Sequence, residues 1–395
     1  MLRVSFAFAV IAALAGPQQP TQPPVFKSGV ELVMVDTQVV DKKGNPIGGL
    51  KTEQFQVTID GKRRTVVSSQ LIDAATGLPR TPDPAAAPRA PASPGNIYVL
   101  AVDQGSFRAL NAPSTIYAAR EFIKRLQPAD YVGIVSFPAP GIRIDPTRDR
   151  AVVNDAIPRL VGFSAVKQLR RADYSLSEAI DVAARDRDTL AQVVKRNCTD
   201  PNDRGCATGV EMELVETVST LELQASRSLH GLREVVGALT GMEGRKTVIV
   251  LSAGIPSGDR TGGRLYMRSD AMQLGKNAVA AGIILYTLHL NTAFLDQYSP
   301  DAPSTRQTAM RDSGVYARGL DIFNGYAGGT FFEVNTGANF AVDRVVREMS
   351  AYYLLGVEVD VADRDGKTHL IQVKVNQKDS HVRSRGSLVI PQRGT

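Results

Sequence analysis

An acidic residue stands where a long apolar run ends. Residues 97–102 are followed directly by Asp103, and Ser106 comes three positions later. An unbroken apolar run is typical of a strand covered on both faces, as in a parallel sheet. Residues 113–126 have helical spacing and residues 131–137 form another short apolar run, which predicts a βαβ unit. Asp103 then lies at the carboxyl edge of the sheet, where it could contact a ligand or accept hydrogen bonds from loop N–H groups.

Motifs of catalysis are missing from the sequence. No Gly-rich phosphate-binding motif follows the first strand, and no Gly-x-Ser-x-Gly motif lies at a strand-to-helix turn. Glu211 and Glu213 are two positions apart on a predicted helix, so their side chains face apart. We therefore expect a protein that is not an enzyme.

The two cysteines lie close together in the sequence. Cys198 and Cys206 are separated by seven residues that include Asp, Pro and Gly. In an oxidising compartment, such a pair predicts a disulfide that closes a local loop. A zinc site would need a second pair of ligands, and the four histidines are scattered along the chain.

The charge is positive but dispersed. The chain has 46 Lys and Arg against 40 Asp and Glu, a formal net charge of +6. Nucleic-acid surfaces cluster basic residues with aromatic ones, so we expect no nucleic-acid partner. The charge could favour anionic polymers of the cell envelope, or simply belong to a solvated surface.

The first fifteen residues have the pattern of a secretory signal peptide. Arg3 is followed by the apolar run 4–14, and residues 13–15 form a small-x-small cleavage pattern. A membrane anchor is the alternative, but the run is far shorter than the roughly 20 residues of a spanning helix. We expect a periplasmic or secreted protein with no transmembrane segment in the mature chain.

The rest of the chain predicts two kinds of structure. Strand patterns at both ends flank a long stretch in which strands alternate with helices. The predicted parts are a signal peptide at 1–15, an N-terminal β-module at 28–72, a Pro/Ala-rich linker at 73–95, an α/β domain at 96–350 and C-terminal β-strands at 351–391. We predict a doubly wound, mostly parallel sheet of Rossmann type. Neither end has enough apolar surface alone, so we expect both to pair in one β-sandwich-like module.

Three passages carry a family resemblance. The first is residues 33–46 with Gly49, Leu50 and Phe55, and the second is the α/β core with its strand that ends at Asp103. The third is the tail, with Tyr-Tyr-Leu-Leu-Gly at 352–356, Asp-Gly-Lys at 365–367 and Val-Arg-Ser-Arg at 382–385. With these passages the chain resembles the von Willebrand factor A-type (VWA) domain. More narrowly, it resembles the VWFA-related proteins exported by Acidobacteria.

The resemblance implies a place for a metal-ion-dependent adhesion site. That site uses Asp-x-Ser-x-Ser after the first strand, a Thr from a second loop and an Asp after the fourth strand, all oxygen ligands suited to a hard divalent cation. Asp103 matches the first ligand. The two Ser positions hold Gly105 and Phe107, the Thr position falls near Tyr174, and the last Asp position holds Ala253. The sequence therefore predicts a degenerate site.

The leading hypothesis is a non-enzymatic protein that binds a protein or cell-envelope partner. By the resemblance, its contact rim would comprise Asp103, Ser106, Asp173 and Ser252. One alternative is a metal-dependent adhesin in which Asp103, Ser106 and Asp173 bind Mg²⁺ or Ca²⁺ at a non-standard site, with Asp103 and Ser106 as the metal candidates. Another is a scaffold whose β-sandwich binds the partner. No other cofactor is expected, and the sequence leaves the partner's identity and the oligomeric state open.

Overall fold

The computed structural model describes residues 32–80, 96–164, 172–242, 244–261, 263–292, 306–335 and 337–392. The predicted signal peptide lies outside the described residues, as does the linker from residue 81 to 95. The strands are β1 (Leu32–Asp41), β2 (Phe55–Ile59), β3 (Lys62–Arg64), β4 (Val66–Asp73), β5 (Ile97–Asp103), β6 (Tyr131–Phe137), β7 (Arg143–Thr147), β8 (Lys246–Ser252), β9 (Ile283–Leu290), β10 (Thr330–Val334), β11 (Ala351–Glu358), β12 (Thr368–Val375), β13 (Ser380–Ser384) and β14 (Ser387–Val389). The helices are α1 (Ala112–Lys124), α2 (Arg150–Ala156), α3 (Leu176–Ala183), α4 (Arg187–Asn197), α5 (Arg204–Leu239), α6 (Arg268–Ala280), α7 (Arg306–Tyr326) and α8 (Asn339–Met349).

The central sheet has six strands in the order β10-β9-β8-β5-β6-β7. All neighbours are parallel except the edge strand β7, which runs antiparallel to β6. One apolar core lies between the sheet and α1, α2 and α8, and a second lies between the opposite face and α3 to α7. Because both faces are covered, the inner strands are mostly apolar, and every residue of β8 is buried. The predicted doubly wound α/β fold is confirmed.

The two ends of the chain form a β-sandwich-like module. Its sheets have the orders β13-β1-β11-β4 and β14-β12-β2-β3, so N-terminal strands pair with C-terminal ones in both. In register, Val35 lies opposite Leu355, and Val57 lies opposite Val373. The aromatic rings of Phe55 and Tyr353 pack 5.0 Å apart in the shared core. The predicted pairing of the chain's two ends is therefore present.

Buried polar groups connect the module to the α/β sheet. Glu348 of α8 is fully buried and accepts a hydrogen bond of 2.8 Å from Arg383 of β13. Gln38 of β1 reaches the hydroxyl of Tyr286 on β9 at 3.3 Å. A buried charge that loses its partner is costly, so these contacts favour a single relative arrangement of the two parts.

Two helical stretches differ from what their apolar spacing indicates. The spacing of residues 174–195 predicts one helix, but the structure divides it into α3 and α4, because the chain turns at Arg185 with a φ of +67°. The spacing that follows predicts a helix from about Val210 to Leu239, but α5 begins at Arg204, where the carboxylate of Asp203 caps the N–H of Gly205 at 2.8 Å. The predicted disulfide joins the end of α4 to the first turn of α5, with a Cα–Cα distance of 6.0 Å between Cys198 and Cys206.

Helix α5 is much longer than the strands beside it. Its 36 residues span about 54 Å, whereas a strand of seven residues such as β5 spans about 23 Å. Gly231 packs against Phe137 at the carboxyl end of β6. The helix residues before Gly231 therefore extend beyond the carboxyl edge of the sheet, the edge that holds Asp103.

Candidate functional site

Asp103 and Ser252 end two adjacent parallel strands. β5 and β8 are in register up to the pair Val102 and Leu251, so the next residues of each strand meet at the carboxyl edge. The Ser252 hydroxyl donates a hydrogen bond of 2.9 Å to Oδ2 of Asp103. Both residues are 0% exposed. The predicted carboxylate thus lies at the predicted edge but below the surface.

Ser106 joins the loops that follow these strands. Its hydroxyl donates to the carbonyl oxygen of Asp103 at 2.7 Å and accepts from the N–H of Ala253 at 2.8 Å. The N–H of Gly254 donates to the Ser252 hydroxyl at 3.0 Å. Three of the four predicted rim residues are therefore brought together, and their polar atoms bind mainly one another and the adjoining backbone.

The carboxyl of Asp103 has an unusual protonation equilibrium. Burial raises its pKa to about 7, although the nearby hydroxyls of Ser228, Ser252 and Ser106 and the N–H of Gly105 act in the opposite direction. The Ser228 hydroxyl approaches from α5, yet neither it nor Oδ1 of Asp103 makes a hydrogen bond within ordinary limits of distance and angle. The site can therefore bind or release a proton near neutral pH.

A neighbouring loop covers Asp103 from one side. The side-chain amide of Gln104 donates to the carbonyl oxygen of Val161 at 2.7 Å, and the N–H of Phe163 donates back to the Gln104 carbonyl at 3.1 Å. Between them, Gly162 lies so close to Phe107 that a Cβ atom would overlap its ring. The absence of a side chain at residue 162 lets this loop close over the end of β5.

Helix α7 covers the end of β8. Gly254 has a φ of +130°, and a Cβ atom there would lie 2.6 Å from Cβ of Tyr316. The N–H of Gly319 donates to the carbonyl of Ile255 at 3.0 Å. These contacts exclude solvent from the loop after β8, which contains the buried residues Ala253 and Ile255.

Asp173 lies apart from the other predicted rim residues. Its side chain is 47% exposed, and its Oδ2 lies 3.6 Å from Nε of Arg196. Its carbonyl oxygen accepts hydrogen bonds from Arg196 and Asn197, both on α4. The structure therefore places Asp173 at the junction with α4, whereas Ser106 and Ser252 contact Asp103.

Two positions that the resemblance assigned to metal ligands hold core residues. Phe107 is 1% exposed and packs in the core with α1 and α2. Tyr174 is also 1% exposed, and its hydroxyl lies 2.8 Å from Oγ1 of Thr217 on α5. Within the part of the chain that the structure describes, no group of three or more His, Cys, Asp or Glu side chains could hold a metal ion.

Three exposed apolar residues lie on the loops above Asp103. Leu110, Val161 and Phe163 are 78%, 52% and 50% exposed, and we call them the edge patch. Their loops are joined by the backbone bridge between Arg108 and Phe163. Sequence reasoning missed these residues, because an apolar side chain gives no local signal that it will remain in solvent.

The fold and the edge define a class of protein: a doubly wound α/β domain set between the two halves of a β-sandwich, with a buried aspartate at the carboxyl edge. No protein-family model matches the sequence, and no curated protein matches it either. Across the described residues, no helix is both long and apolar enough to cross a bilayer.

Several solved structures are similar to the chain. A von Willebrand factor type A structure from Catenulispora acidiphila is 10% identical, with a TM-score of 0.30 over 92% of this chain and 74% of that one. Manganese-loaded TRAP protein from Plasmodium vivax is 8% identical, with a TM-score of 0.32 over 83% and 98%. An aerotolerance-related membrane protein from Bacteroides fragilis is 13% identical, with a TM-score of 0.31 over 65% and 98%. These TM-scores are too low to transfer the role of any residue.

Proposed function

We propose that this chain is an exported, non-enzymatic, VWA-like protein that binds a protein partner of the cell envelope at the carboxyl edge of its central sheet. The observation that carries the proposal is the burial of Asp103 beneath loops that expose the edge patch. The narrower resemblance, to proteins exported by Acidobacteria, stays a prediction.

The polar groups at this edge favour a degenerate adhesion site. Oδ2 of Asp103 accepts from Ser252, and the Ser106 hydroxyl is engaged by two backbone groups. Gly105 has no side-chain oxygen, and a Cβ atom there would lie 2.9 Å from Cδ of Pro138. A hard cation needs several oxygen ligands that converge from separate loops, and this arrangement leaves few of them available.

The edge patch supplies a different kind of contact. Leu110, Val161 and Phe163 are large apolar side chains that lie on two connected loops. Clustered apolar surface commonly marks a protein-binding site, since contact with a partner removes it from water. A partner with an apolar surface of its own would bind here without a bridging metal ion.

Export is supported by two separate features. The first fifteen residues have the pattern of a signal peptide. The disulfide between Cys198 and Cys206 is of the kind that persists in oxidising compartments such as the periplasm or the exterior. Mass spectrometry of the mature N-terminus tests this part of the proposal, and an intact leader on the isolated protein would contradict it.

The binding surface can be tested with matched variants. Leu110→Ser combined with Phe163→Ser removes apolar surface from the edge patch, and Leu370→Ser removes a comparable side chain, 58% exposed, from β12 of the sandwich. Proteins captured from the organism's envelope fraction by the wild type would be identified, and their affinity measured with purified components. Loss of affinity in the edge variant alone supports the proposal. Loss in Leu370→Ser alone would favour the β-sandwich as the binding surface.

A metal-dependent adhesin is the second candidate. The observation that favours it is the buried Oδ1 of Asp103, which makes no ordinary hydrogen bond although the Ser228 hydroxyl approaches it. A bound ion stabilises the folded state by mass action and raises the melting temperature. We expect no shift with millimolar Mg²⁺ or Ca²⁺. A saturable rise that disappears in Asp103→Ala would establish the metal site instead.

A further inference from the structure

A pocket that shares no residue with the edge patch lies beside the edge strand β7. Its volume is about 390 Å³, and it opens between the last turns of α5 and strands β5 to β7. Its apolar lining includes Val99, Val135, Val235, Leu239 and Met242. A cavity of this size and lining falls within the range of small-molecule sites in proteins.

The mouth of the pocket carries more negative than positive charge. Asp145 and Glu234 contribute two carboxylates, and Arg143 contributes one guanidinium. Nε of Arg143 lies 3.5 Å from Oδ1 of Asp145, and these side chains are 63% and 83% exposed. Such an exposed pair is weak, so the Asp145 carboxylate can exchange partners at little cost.

Two other basic side chains, Lys246 and His230, lie near residues of the pocket. The Lys246 ammonium donates to the carbonyl oxygens of Leu239 and Met242 at 3.1 and 2.8 Å, and it does not line the pocket. His230 lies 3.3 Å from Glu234, one turn away on α5, and forms an ion pair only when it is protonated. The charged side chains that line the pocket, two carboxylates and one guanidinium, leave one negative charge in excess, which favours a ligand with one positive charge.

From the apolar floor and the acidic mouth together, we infer that this pocket binds a small primary amine with an apolar body. The body packs against Val135, Val235 and Leu239, and the ammonium lies between the carboxylates of Asp145 and Glu234. Burial of the apolar body supplies the affinity. The two carboxylates select the sign of the charge, because a carboxylate ligand would face like charges at the mouth.

Three probes of equal chain length separate these contributions. Octylamine, octanol and octanoate would be titrated into the full chain by calorimetry, at concentrations below those at which they self-associate. We expect octylamine to bind about tenfold more tightly than octanoate, with octanol between them. Binding of octanoate as tightly as octylamine would refute the assignment of charge, and failure of all three to bind would refute the site.

Two sets of variants tie the binding to this pocket. Ala238 is an exposed residue of α5 that lines the pocket, and Ala238→Trp should abolish binding. Ser226 is exposed on the same helix twelve residues earlier, and Ser226→Trp should leave binding unchanged. Asp145→Asn with Glu234→Gln should weaken octylamine about tenfold and leave octanol unaffected. Equal effects of the two Trp variants, or equal effects of the charge variant on both probes, would overturn the inference. Neither result depends on the edge patch, so the proposed function is tested separately.

Discussion

The Ser252 hydroxyl donates a 2.9 Å hydrogen bond to Oδ2 of Asp103, joining the carboxyl ends of β8 and β5. Ser106 adds a second connection through the carbonyl of Asp103 and the N–H of Ala253. These hydrogen bonds compensate in part for the burial of a carboxylate. The edge of the sheet, where α/β proteins commonly bind ligands, is here an interior site with exposed apolar residues above it.

Asp103→Asn should reduce the pH dependence of stability. Burial raises the pKa of Asp103 from 3.8 to about 7, so ionisation destabilises the folded state progressively as the pH rises between these values. This loss of folding stability is absent below the ordinary pKa and complete above the raised pKa, with an upper limit of roughly 4 kcal/mol. Asn carries no charge at any of these pH values, so the variant does not lose this stability. Urea denaturation at about pH 5 and at about pH 8 should show that the free energy of unfolding falls more between these pH values in the wild type than in the variant. Equal decreases would contradict the raised pKa of Asp103.

Two glycines of α5 should respond in opposite directions to the same substitution. A Cβ atom added at Gly231 would overlap the Phe137 ring. A Cβ atom added at Gly209 would have no neighbouring atom within 4 Å beyond its own stretch of helix. Gly231→Ala should cost about 2 kcal/mol through overpacking between α5 and β6. Gly209→Ala should add roughly 0.5–1 kcal/mol, because Ala favours the helix. Denaturant titration of both variants checks the pair, and equal effects would show that α5 does not approach β6 closely.

Removal of the disulfide should destabilise the junction of α4 and α5. The bond between Cys198 and Cys206 closes a short loop, for which the chain-entropy relation gives about 2–3 kcal/mol. Cys198→Ser combined with Cys206→Ser should therefore lower the melting temperature. Dithiothreitol should lower the melting temperature of the wild type to a similar value and leave the melting temperature of the variant unchanged. A reductant-insensitive wild type would mean that the bond adds little stability.

His369 should stabilise the β-sandwich at acidic pH. Its Nδ1 lies 2.7 Å from Asp60 and its Nε2 lies 3.0 Å from Asp365, and hydrogen bonding to these carboxylates raises its pKa above 6.5. When folding raises the pKa of a histidine, the stabilisation is fully present at pH values below the pKa of the unfolded state. It is lost as the pH rises through the pKa of the folded state. His369→Gln should therefore lose more stability at about pH 6 than at about pH 9. Asp60→Asn should show the same trend, and a loss independent of pH would indicate a packing role alone.

Local patterns in the sequence were sufficient for much of the architecture. The Asp60-Gly61 pair predicts a tight hairpin, and the structure has it between β2 and β3 with φ values of +48° and +77°. The unbroken apolar runs of β5 and β8 predict central strands, since only a strand covered on both faces tolerates such a run. The disulfide also followed from the short spacing of its cysteines.

The rim of Asp103, Ser106, Asp173 and Ser252 was predicted from the family resemblance. The sequence by itself determined that Asp103 and Ser252 end strands of one parallel sheet, because the end of an apolar run marks the end of a strand and parallel strands end together. Only the tertiary structure decided that these residues are buried. Three groups cover them: the loop at residues 160–164, Ser228 on α5 and Tyr316 on α7. All three are distant from Asp103 in the sequence, and no pattern in the sequence predicts that they pack against it. Tertiary packing likewise separated Asp173 from the others and left Leu110 and Phe163 in solvent, since burial depends on which elements meet.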